Sequence, residues 1–491
     1  MLERLAHRGP DDRGEVDLDA GWLGHTRLSI VDVEGGRQPL INATGDRWLV
    51  GNGEIYNHAE VRAGLRVVRS ATGSDNEVAL ALLDERGPDA LGELEGMYAL
   101  VAADETGFFV AARDPVGIKP LYWARHRGEV RFASEMSAFE PGWREHVEAF
   151  PPGHHWTPER GLRRFARAVP HVPEAEAVAE RRAGQEPGPE ALAEIRDGLV
   201  AAVRRQLMGD VPVGVFLSGG LDSTLIAAIA ARELAGHGER LQTFAVGVEG
   251  SPDLVAARRA AAHLGTEHRE RIYTARDALD CVERVVQAIE HYDASLVRSA
   301  VPNYLLAEMT ARHVKVVLTG EGADELFAGY AYLRDLDGPG ALHAELLRTV
   351  QGLHHLNLQR CDRVTMAHGL EARVPFLDRQ VIALALRLPP AWKLCGPGRP
   401  EKRILRAAFT GWLPDDLLWR EKAEFGDGSG AAGVLTGAME ATVSPQELRR
   451  HTQDAAKPPV RTREELAYQR IFAAHLPGVR PERTLGHFAT A

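Results

Sequence analysis

Residues 211–230 read VPVGVFLSGGLDSTLIAAIA, an apolar run, a pair of glycines and a second apolar run. The first run predicts a buried strand, and the residues from Thr224 onward predict a helix. Gly219 and Gly220 would form the turn between them and let the backbone approach a ligand closely. The N–H groups that open the helix favour an anion at this turn. The turn is not a Walker A loop, because the pattern G-x-x-x-x-G-K-[ST] is absent.

The same alternation of strand and helix continues on both sides of this stretch. Before it, ALAEIRDGLVAAVRRQL (191–207) predicts an amphipathic helix, whose apolar face comprises Leu192, Ile195, Leu199, Val203 and Leu207. After it come the predicted strands LQTFAVGV (241–248) and VKVVLTGE (314–321), with the helix DLVAARRAAAHLG (253–265) between them. This order predicts a parallel sheet with helical crossovers, followed from about residue 340 by a mostly helical tail.

Residues 1–170 follow a different pattern, of short strand-like runs separated by turn residues. These runs are GWLGHTRLSIVDV (21–33), DRWLVGNGEIY (46–56), MYALVAAD (97–104), GFFVAARD (107–114) and EVRFASE (129–135). They predict an antiparallel or mixed α+β domain. One helix is predicted at SDNEVALALLDERG, with Ser74 or Asp75 near its N-cap. Residues 171–190 are rich in Pro, Glu and Ala, which predicts a linker to a second domain at 191–491.

Composition excludes several classes of protein. The 491 residues are 44% apolar and 26% charged, with a net charge of −11, which argues against a basic nucleic-acid-binding face. We find neither an apolar run long enough for a membrane span nor a signal region, so a cytoplasmic protein with no membrane partner is expected. The three cysteines, Cys281, Cys361 and Cys395, are too widely spaced to suggest a disulfide framework or a zinc site.

Two strings carry a family resemblance. SGGLDS, at Ser218–Ser223, resembles the pyrophosphate loop of the ATP pyrophosphatases, and TGEGADELFAGY, at Thr319–Tyr330, resembles a segment of the glutamine-dependent asparagine synthetases. FAVGVEGSPDL, LGTEHRE, HGLEARVPFLD and LLWREKAEF resemble further segments of that family, in its order, and the likeness runs from about His7 to about Leu476. Because these strings agree on one fold and reaction, the chain is identified as similar to the bacterial asparagine synthetase B type.

The resemblance implies an α/β fold in two parts. The first is an N-terminal αββα-sandwich glutaminase domain, an N-terminal-nucleophile hydrolase, and the second is an ATP-pyrophosphatase domain with a parallel sheet and a helical tail. It implies ATP and Mg²⁺, with aspartate and glutamine or ammonia as substrates and a homodimer as one option. In the implied reaction, the aspartate side-chain carboxylate attacks ATP to give β-aspartyl-AMP and pyrophosphate, and ammonia then displaces AMP.

In the synthetase half, the resemblance assigns roles residue by residue. Asp222 and Asp324 match magnesium ligands, which suits a hard cation that binds carboxylates and phosphates. Glu321 matches a glutamate associated with the intermediate and with deprotonating ammonia. Lys422 matches a lysine that stabilises phosphate charge, although without the motif it would be taken for a surface lysine. The implied ATP site comprises Phe216, Ser218, Gly219, Gly220, Asp222, Ser223, Val246, Thr319 and Gly320.

The aspartate pocket departs from the family pattern. HYDASLVRSA (291–300) resembles TYDxTTxRAS and retains Arg298, which suits a bidentate grip on a carboxylate. The paired threonines are replaced by Ser295 and Leu296, and a lost hydroxyl would remove a hydrogen bond worth about 0.5–1.5 kcal/mol. Aspartate is still permitted, and so is a related carboxylate. Arg360 is a weaker candidate for substrate binding, or equally for a structural salt bridge.

The N-terminal half resembles the glutaminase domain through RLSIVDVEGGRQPL, NGEIYNH, TGSDNE and RDPVGIKPLYW. NGEIYNH alone would be read as a hairpin with an Asn-Gly turn. With Arg27 and Asp75 also present, the resemblance instead implies a glutamine pocket, in which Asn52 and Gly53 form an oxyanion hole. The implied pocket comprises Arg27, Leu28, Ile30, Val31, Asn52, Gly53, Glu54 and Asp75.

The family's nucleophile has no counterpart in this sequence. It is a cysteine at the mature N-terminus, whereas no cysteine precedes Cys281 here and the HRGPDD motif begins at His7. Either the start lies too far downstream or glutaminase activity has been lost. The first explanation is favoured because the glutamine-pocket residues remain. The chain as written is expected to make asparagine from ammonia without hydrolysing glutamine.

Other classes are kept as alternatives. Leu296 keeps open an asparagine-synthetase-like amidotransferase or cyclase that acts on another carboxylate. A glutamine- or nucleotide-sensing protein without catalysis is the non-enzyme alternative, and the joint presence of Asp222, Glu321, Asp324 and Lys422 argues against it. A sulfur-transferring or tRNA-modifying pyrophosphatase would share SGGLDS but would not explain NGEIYNH and GEGADE in one chain.

Overall fold

The chain folds into two α/β halves, an antiparallel one before residue 170 and a parallel one from residue 186 onward. The computed structural model describes residues 1–19, 21–66, 71–169, 186–396, 398–421, 432–453 and 459–487. Among these residues, we find no helix that combines the length and apolar character needed to cross a bilayer.

The first half is built mainly of strands. Its strands are β1 (Asp12–Leu18), β2 (Gly21–Arg27), β3 (Leu40–Ile41), β4 (Arg47–Ile55), β5 (Gly96–Asp104), β6 (Phe109–Arg113), β7 (Tyr122–His126), β8 (Glu129–Ala133), β9 (Val147–Ala149), β10 (His154–Thr157) and β11 (Gly161–Arg164). Its helices are α1 (Leu2–Leu5), α2 (His58–Ala63) and α3 (Glu77–Arg86). Within the described residues, β11-β10-β6-β5-β4-β3 form a six-stranded antiparallel sheet, β8-β7-β9 a three-stranded sheet and β1-β2 a hairpin.

The six-stranded sheet is apolar on both faces, which explains the layered arrangement. Side chains such as Leu100 pack on one face with Leu82 of α3. On the other face, Val101 packs with Leu23 of the β1-β2 hairpin, and Trp123 of the three-stranded sheet packs with neighbouring apolar residues. Successive residues of a strand point to opposite faces, so one sheet serves both layers.

The second half is built on a five-stranded parallel sheet. Its strands are β12 (Val213–Phe216), β13 (Gln242–Gly247), β14 (Glu267–Ile272), β15 (Val316–Leu318) and β16 (Glu371–Arg373), in the order β14-β13-β12-β15-β16. The chain moves outward in one direction from β12 to β14 and then returns to the other side of β12 through β15. The strand order therefore reverses between β12 and β15, the place where open α/β sheets bind ligands.

Helices cover this sheet and form the tail. They are α4 (Pro189–Gln206), α5 (Leu221–Ala235), α6 (Pro252–Leu264), α7 (Ala275–Ile289), α8 (Ala294–Thr310), α9 (Ala323–Phe327), α10 (Gly338–Gly352), α11 (Asn357–Met366), α12 (Arg379–Arg387), α13 (Arg403–Ala408), α14 (Asp415–Leu418), α15 (Ala432–Ala441), α16 (Pro445–Gln453), α17 (Arg463–His475) and α18 (Pro481–Thr484). The predicted parallel sheet and helical tail are thus both present.

The structure differs from the sequence predictions at several local points. The strand predicted over residues 21–33 ends at Arg27, because the following segment curls so that the carbonyls of Val31, Asp32 and Val33 accept hydrogen bonds from the Arg27 guanidinium. Helix α3 has Asn76 at its N-cap, not Ser74 or Asp75. Strands β1 and β14 were not predicted, because charged residues interrupt their apolar patterns.

The predicted linker can be followed only at its end. Residues 170–185 lie outside the described part of the chain, and α4 begins at Pro189, just before the predicted start of the second domain at residue 191. In α4, Ile195, Leu199 and Val203 are buried, as the helical spacing predicted.

Candidate functional site

A cavity of about 460 Å³ opens at the carboxyl end of the parallel sheet, next to the reversal in strand order. Phe216 ends β12, Val246 lies near the end of β13, and Thr319 follows β15, so three strands deliver these side chains to one edge. The predicted site residues that line the cavity are Phe216, Ser218, Gly220, Asp222, Ser223, Val246, Arg298, Thr319, Gly320, Glu321, Asp324 and Arg360.

The SGGLDS turn is held in shape by its own side chains. The hydroxyls of Ser218 and Ser223 lie 3.0 Å apart, and Thr224 Oγ1 donates to the Gly220 carbonyl at 2.7 Å. Gly219 has φ +73°, and a Cβ there would lie 2.5 Å from the Ala256 Cβ. The turn therefore requires glycine at Gly219, and it precedes the positive end of helix α5.

Two carboxylates from opposite sides of the strand reversal share one cation. Lys402 Nζ lies 2.5 Å from Asp222 Oδ2 and 2.6 Å from Asp324 Oδ1. Burial by itself would lower the pKa of Lys402, but the two carboxylates raise it above its ordinary value. Lys402 is therefore a fixed positive charge at the pyrophosphate turn.

This close approach depends on a missing side chain at Gly329. A Cβ at Gly329 would lie 1.8 Å from Asp324 Oδ1 and 2.2 Å from Lys402 Cε. Lys402 itself has φ +55°, an uncommon conformation for a residue with a side chain.

Sequence reasoning missed Lys402 and assigned a cationic role to Lys422, which lies outside the described residues. Lys402 is 180 positions from Asp222, and no local pattern marks it. Arg420, two residues before Lys422, donates to the Gly219 carbonyl at 3.1 Å and to Asp253 Oδ1 at 2.8 Å. The segment that precedes Lys422 thus contacts the pyrophosphate turn directly.

Glu321 and Arg360 form an ion pair at the cavity wall. Arg360 Nη1 also donates to Ser299 Oγ at 2.8 Å, and Ser299 Oγ donates to the Ser295 carbonyl at 3.0 Å. Burial alone would lower the pKa of Arg360, but the neighbouring Glu321 carboxylate raises that pKa above its ordinary value, so Arg360 keeps its positive charge. Arg360 thus combines the two roles considered from sequence, since it makes a salt bridge and also lines the cavity.

The wall of the cavity that helix α8 forms, here called the acceptor side, differs from the sequence expectation at one residue. Ser295, Arg298, Ser299 and Asn303 of helix α8 line the cavity. Leu296 is fully buried in the apolar core instead. Leu296 is not among the lining residues, so its lost hydroxyl is not a gap in the wall of this cavity.

Arg298 is also paired. Its Nε lies 3.3 Å from Glu464 Oε1 of helix α17, and Glu464 in turn accepts from Tyr468 at 2.9 Å and from Thr436 at 3.2 Å. Burial raises the pKa of Glu464. The helical tail thus orients a residue of the acceptor side.

Glu325 is a buried carboxyl next to the carboxylates that share Lys402. Its Oε1 accepts from Tyr330 Oη at 2.5 Å and from Asn357 Nδ2 at 3.1 Å. Burial, and after it the negative charge of Asp324, raises the pKa of Glu325 to about 7. This carboxyl therefore titrates near neutral pH at the edge of the cavity.

A second cavity, of about 100 Å³, lies in the first half. The residues predicted for glutamine binding all line it: Arg27, Leu28, Ile30, Val31, Asn52, Gly53, Glu54 and Asp75. The second half adds Met366 and Glu371 to its wall. Sequence reasoning did not expect these two contributions, since they lie in a different domain.

The second cavity carries donors and acceptors suited to an amino acid. Arg27 is held by the carbonyls of Val31, Asp32 and Val33, with distances of 3.2, 2.7 and 3.0 Å. Asn52 Nδ2 is buried and has no hydrogen-bond partner within the described residues. Gly53 has φ +120°, and a Cβ there would lie 1.9 Å from the Met97 carbonyl oxygen, so only glycine fits at this point of β4.

Two carboxyls in the second cavity resist ionisation. Burial, followed by the charges of Asp75 and Glu371, raises the pKa of Glu54 well above its ordinary value. Burial raises the pKa of Asp75 to about 6, although Ile55 N–H donates to its Oδ2 at 2.6 Å. That hydrogen bond also explains why Asp75 does not cap helix α3.

Buried ion pairs join the two halves between the cavities. Lys119 Nζ lies 2.9 Å from Glu371 Oε2, and Arg373 lies 3.0 Å from Glu371 Oε1 and 3.6 Å from Glu54 Oε1. Arg373 also accepts, through its carbonyl, a hydrogen bond of 2.9 Å from the N–H of Thr319 at the first cavity.

A second cluster of ion pairs lies farther along the interface. Arg8 lies 2.9 Å from Glu135 and 2.8 Å from Asp362, and Arg363 lies 2.8 Å from Glu135. Because breaking a buried pair leaves an uncompensated charge, these contacts hold the halves in one arrangement.

None of the chain's cysteines lines the second cavity as described. Cys281 lies in α7, Cys361 in α11, and Cys395 in the segment after α12. Cys361 lines the first cavity, and burial raises its pKa to about 12, so it is a poor nucleophile near neutral pH.

Comparisons with known families match both halves. The family model described as asparagine synthase matches residues 194–339 and 334–484. The model described as glutamine amidotransferase domain matches residues 1–154.

Curated relatives match most of the chain. Asparagine synthetase [glutamine-hydrolyzing] 3 of Arabidopsis thaliana is 40% identical over 457 residues, covering 88% of this chain and 76% of its own length. Asparagine synthetase B [glutamine-hydrolyzing] of Escherichia coli (strain K12) is 40% identical over 466 residues, covering 91% and 82%. A probable asparagine synthetase [glutamine-hydrolyzing] of Schizosaccharomyces pombe is 39% identical over 505 residues, covering 96% and 89%.

Among solved structures, a glutamine phosphoribosylpyrophosphate amidotransferase from B. subtilis has a TM-score of 0.30 and 18% identity, covering 55% of this chain and 77% of its own. A TM-score of 0.30 is too low to indicate a shared fold over the whole chain.

Proposed function

The chain belongs to the glutamine-hydrolysing asparagine synthetase family, and we propose that it converts L-aspartate to L-asparagine with release of AMP and pyrophosphate. It is a carbon–nitrogen ligase of a family whose named relatives hydrolyse glutamine. One observation carries the assignment: the SGGLDS turn and the Gly320-Glu321 turn meet at one cavity, where Asp222 and Asp324 share Lys402.

The phosphate end of ATP fits the SGGLDS turn. The positive end of α5 and the Lys402 ammonium both favour negative charge at that point. A carboxylate that attacks a polyphosphate must overcome charge repulsion, and fixed cations reduce that cost in the transition state. Phe216, Val246, Thr319 and Gly320 are proposed for the nucleoside, because they line the same cavity next to the turn.

Asp222 and Asp324 are proposed to hold Mg²⁺ with the phosphates. The donor set fits, because both carboxylates line the cavity at the turn proposed for the phosphates, and Mg²⁺ binds carboxylate oxygens together with substrate phosphates. Bound magnesium would neutralise charge on the pyrophosphate leaving group. Lys402 would keep the two carboxylates in place, and Lys422 is proposed as a further cation toward the phosphates.

The acceptor carboxylate is proposed to lie beside helix α8. Arg298 and Arg360 supply guanidinium groups, and Glu321 and Glu464 hold these groups in place. Glu321 is also proposed to take a proton from ammonia as the new carbon–nitrogen bond forms.

The first half is proposed to bind glutamine in the cavity of about 100 Å³. Arg27 suits the α-carboxylate, and Glu54 and Asp75 suit the ammonium group, which would offset the cost of ionising two buried carboxyls. Asn52 and Gly53 suit an oxyanion. Ammonia, supplied directly or released from glutamine, is proposed as the nitrogen donor for the synthetase half.

Several coarser predictions also stay proposals. We propose domain limits of 1–170 and 191–491, a cytoplasmic location and a homodimer. Sedimentation of the purified chain would measure its oligomeric state.

The proposal is tested by mixing the chain with aspartate, ATP, magnesium chloride and ammonium chloride. We expect asparagine, AMP and pyrophosphate in equal amounts, and no product after EDTA treatment. A parallel reaction with glutamine in place of ammonium measures whether glutamine also serves as the nitrogen donor. A panel of other carboxylates, scored by pyrophosphate release, would identify a different acceptor if aspartate gives none.

A further inference from the structure

The C-terminal segment, residues 461–487, packs against the start of helix α8, the helix that carries the acceptor-side residues. Asp293 caps this helix, since its Oδ1 accepts from the Leu296 N–H at 3.1 Å. Arg461 Nη2 lies 2.8 Å from Asp293 Oδ2 and 2.7 Å from Glu465 Oε1. Both carboxylates are fully buried. The segment is therefore tied to the acceptor side by a partly exposed guanidinium that bonds two buried carboxylates.

His487 brings this segment to the synthetase cavity. Its Nδ1 lies 3.2 Å from Asp293 Oδ2, and it is one of the residues that line the cavity of about 460 Å³. The rings of Tyr292 and His291 lie edge-on to it, at 6.2 and 6.4 Å between centroids. One hydrogen bond and two ring contacts hold the imidazole in a defined orientation.

The hydrogen bond that His487 Nδ1 makes determines whether Nε2 can accept a hydrogen bond. Although burial opposes ionisation, the hydrogen bond from His487 and the proximity of His291 lower the pKa of Asp293 to about 2. An ionised carboxylate only accepts hydrogen bonds, so Nδ1 carries the proton. In the neutral imidazole, Nε2 then keeps its lone pair. This Nε2 is buried and has no hydrogen-bond partner among the described residues.

A metal ion is a poorer explanation of the cluster. Asp293, Glu465 and His487 place ligand atoms within 4.8 Å of one another. The Arg461 guanidinium already bonds both carboxylates, so a cation is present between them. The acceptor left over is Nε2 of His487, a buried atom of a residue that lines the cavity.

We propose that His487 is a positioning residue of the synthetase reaction, whose Nε2 accepts a hydrogen bond from an amine or ammonium N–H in the cavity. This proposal rests on the proposed function, which brings two such groups to the cavity. One is the α-ammonium of the acceptor amino acid, and the other is the incoming ammonia. A buried acceptor without a partner costs free energy, so a ligand that supplies the missing N–H is bound more tightly.

Substitutions at His487 separate this role from a structural one. His487→Asn keeps an amide donor near the Nδ1 position for Asp293 but lacks an acceptor at the Nε2 position. His487→Gln reaches farther and places an amide oxygen near the Nε2 position. His487→Ala removes both groups. Arg483→Ala is the control, because Arg483 lies on the same segment in α18 and pairs with Glu148 outside the cavity.

Two assays distinguish the two sources of the N–H group. Aspartate-dependent exchange of pyrophosphate into ATP requires no ammonia, and asparagine synthesis does. If the α-ammonium is the ligand, H487A and H487N raise the KM for aspartate about tenfold in the exchange assay. If ammonia is the ligand, the exchange is unchanged and the KM for ammonium rises about tenfold in synthesis. In both cases H487Q restores part of the loss. H487N keeps the donor to Asp293, so its KM for ATP and its melting temperature stay at the wild-type values, whereas H487A and H487Q lower the melting temperature.

Two results would overturn the proposal. One is an unchanged KM for both aspartate and ammonium in H487N. The other is a loss in all variants that follows their melting temperature and the KM for ATP together, which would indicate a structural role alone. Wild-type protein with no exchange activity would instead refute the proposed function, so the two failures are distinct.

Discussion

The two cavities solve the problem of buried charge in opposite ways. In the synthetase cavity most charged groups have an opposite charge beside them, as in Asp222 and Asp324 with Lys402, or Glu321 with Arg360, and the exception is Glu325, whose pKa is raised by burial and by Asp324. In the glutamine cavity Glu54 has Arg373 at 3.6 Å, and burial raises its pKa. The first site is thus compensated before substrate binds, whereas the second would be completed by the positive charge of its ligand.

Removing the shared cation should break this compensation most strongly. Lys402→Met leaves two partly buried carboxylates, Asp222 and Asp324, without their shared partner at the SGGLDS turn. We expect aspartate-dependent ATP–pyrophosphate exchange to fall about 10²–10³-fold.

Lys393→Met is the matched control. Lys393 is as buried as Lys402, but it does not line the cavity, and its Nζ donates to the Ala385 carbonyl at 2.5 Å. Burial lowers the pKa of Lys393 to about 7, so a neutral replacement changes little charge there. Full exchange activity in folded K402M would contradict the assigned role of Lys402.

A neutral side chain in place of Glu321 tests the second charge pair of the synthetase cavity. Glu321→Gln cannot take a proton from ammonia, so asparagine formation with ammonium should fall about 10²-fold. Rapid-quench measurement of pyrophosphate and asparagine would show which half-reaction is slowed. Glu233 of helix α5 pairs with Arg204 of helix α4 at the surface, so Glu233→Gln should leave both half-reactions unchanged. Equal losses in the two variants would argue against a role for Glu321 in the chemistry.

The two cavities should also respond independently to substitution. Arg27→Lys cannot reproduce the planar guanidinium that three carbonyls orient, so the affinity for glutamine should fall about tenfold. Calorimetric titration with glutamine measures this change. The ammonia-driven rate should match that of wild type. A parallel fall in that rate would show that the glutamine cavity supports the synthetase half structurally.

The smallest expected effect is a pH dependence of stability. The pKa of Glu325 is raised from 4.5 to about 7, so its neutral form is favoured in the folded protein. Its stabilising contribution is complete below the unfolded pKa and is lost as pH rises through about 7. Glu325→Gln stays neutral, so its free energy of unfolding relative to wild type should rise between pH 5 and 8. The expected rise is up to about 1.4 kcal/mol for each unit by which folding raises the pKa of Glu325, and it should appear as a higher relative melting temperature.

Asp75→Asn provides the same measurement in the glutamine cavity. Burial raises the pKa of Asp75 from 3.8 to about 6, so the relative gain should be complete at a lower pH than in Glu325→Gln. Scanning calorimetry of both variants at several pH values would compare the two cavities directly. A flat difference in both would mean that neither carboxyl titrates as its burial indicates.

Local patterns were sufficient for much of the fold. The strand, turn and helix around SGGLDS lie at Val213–Phe216 and Leu221–Ala235, because apolar periodicity and two glycines act over neighbouring residues. Charged edge strands such as β14 were not predicted, because a strand that is paired on one side only tolerates polar residues and lacks an apolar pattern. Asp75 was mistaken for a cap because its hydrogen bond goes to the N–H of Ile55, 20 positions away.

The sequence by itself determined the family, the two halves, the SGGLDS turn and a set of residues in the wall of each cavity, because these are short strings whose spacing is set locally. Only the tertiary structure decided that Lys402 joins Asp222 to Asp324, that Leu296 faces the core and that His487 lines the synthetase cavity. Each of these depends on groups far apart in the chain. Their contacts follow from strand order and helix packing, which cannot be inferred from the local spacing of residues.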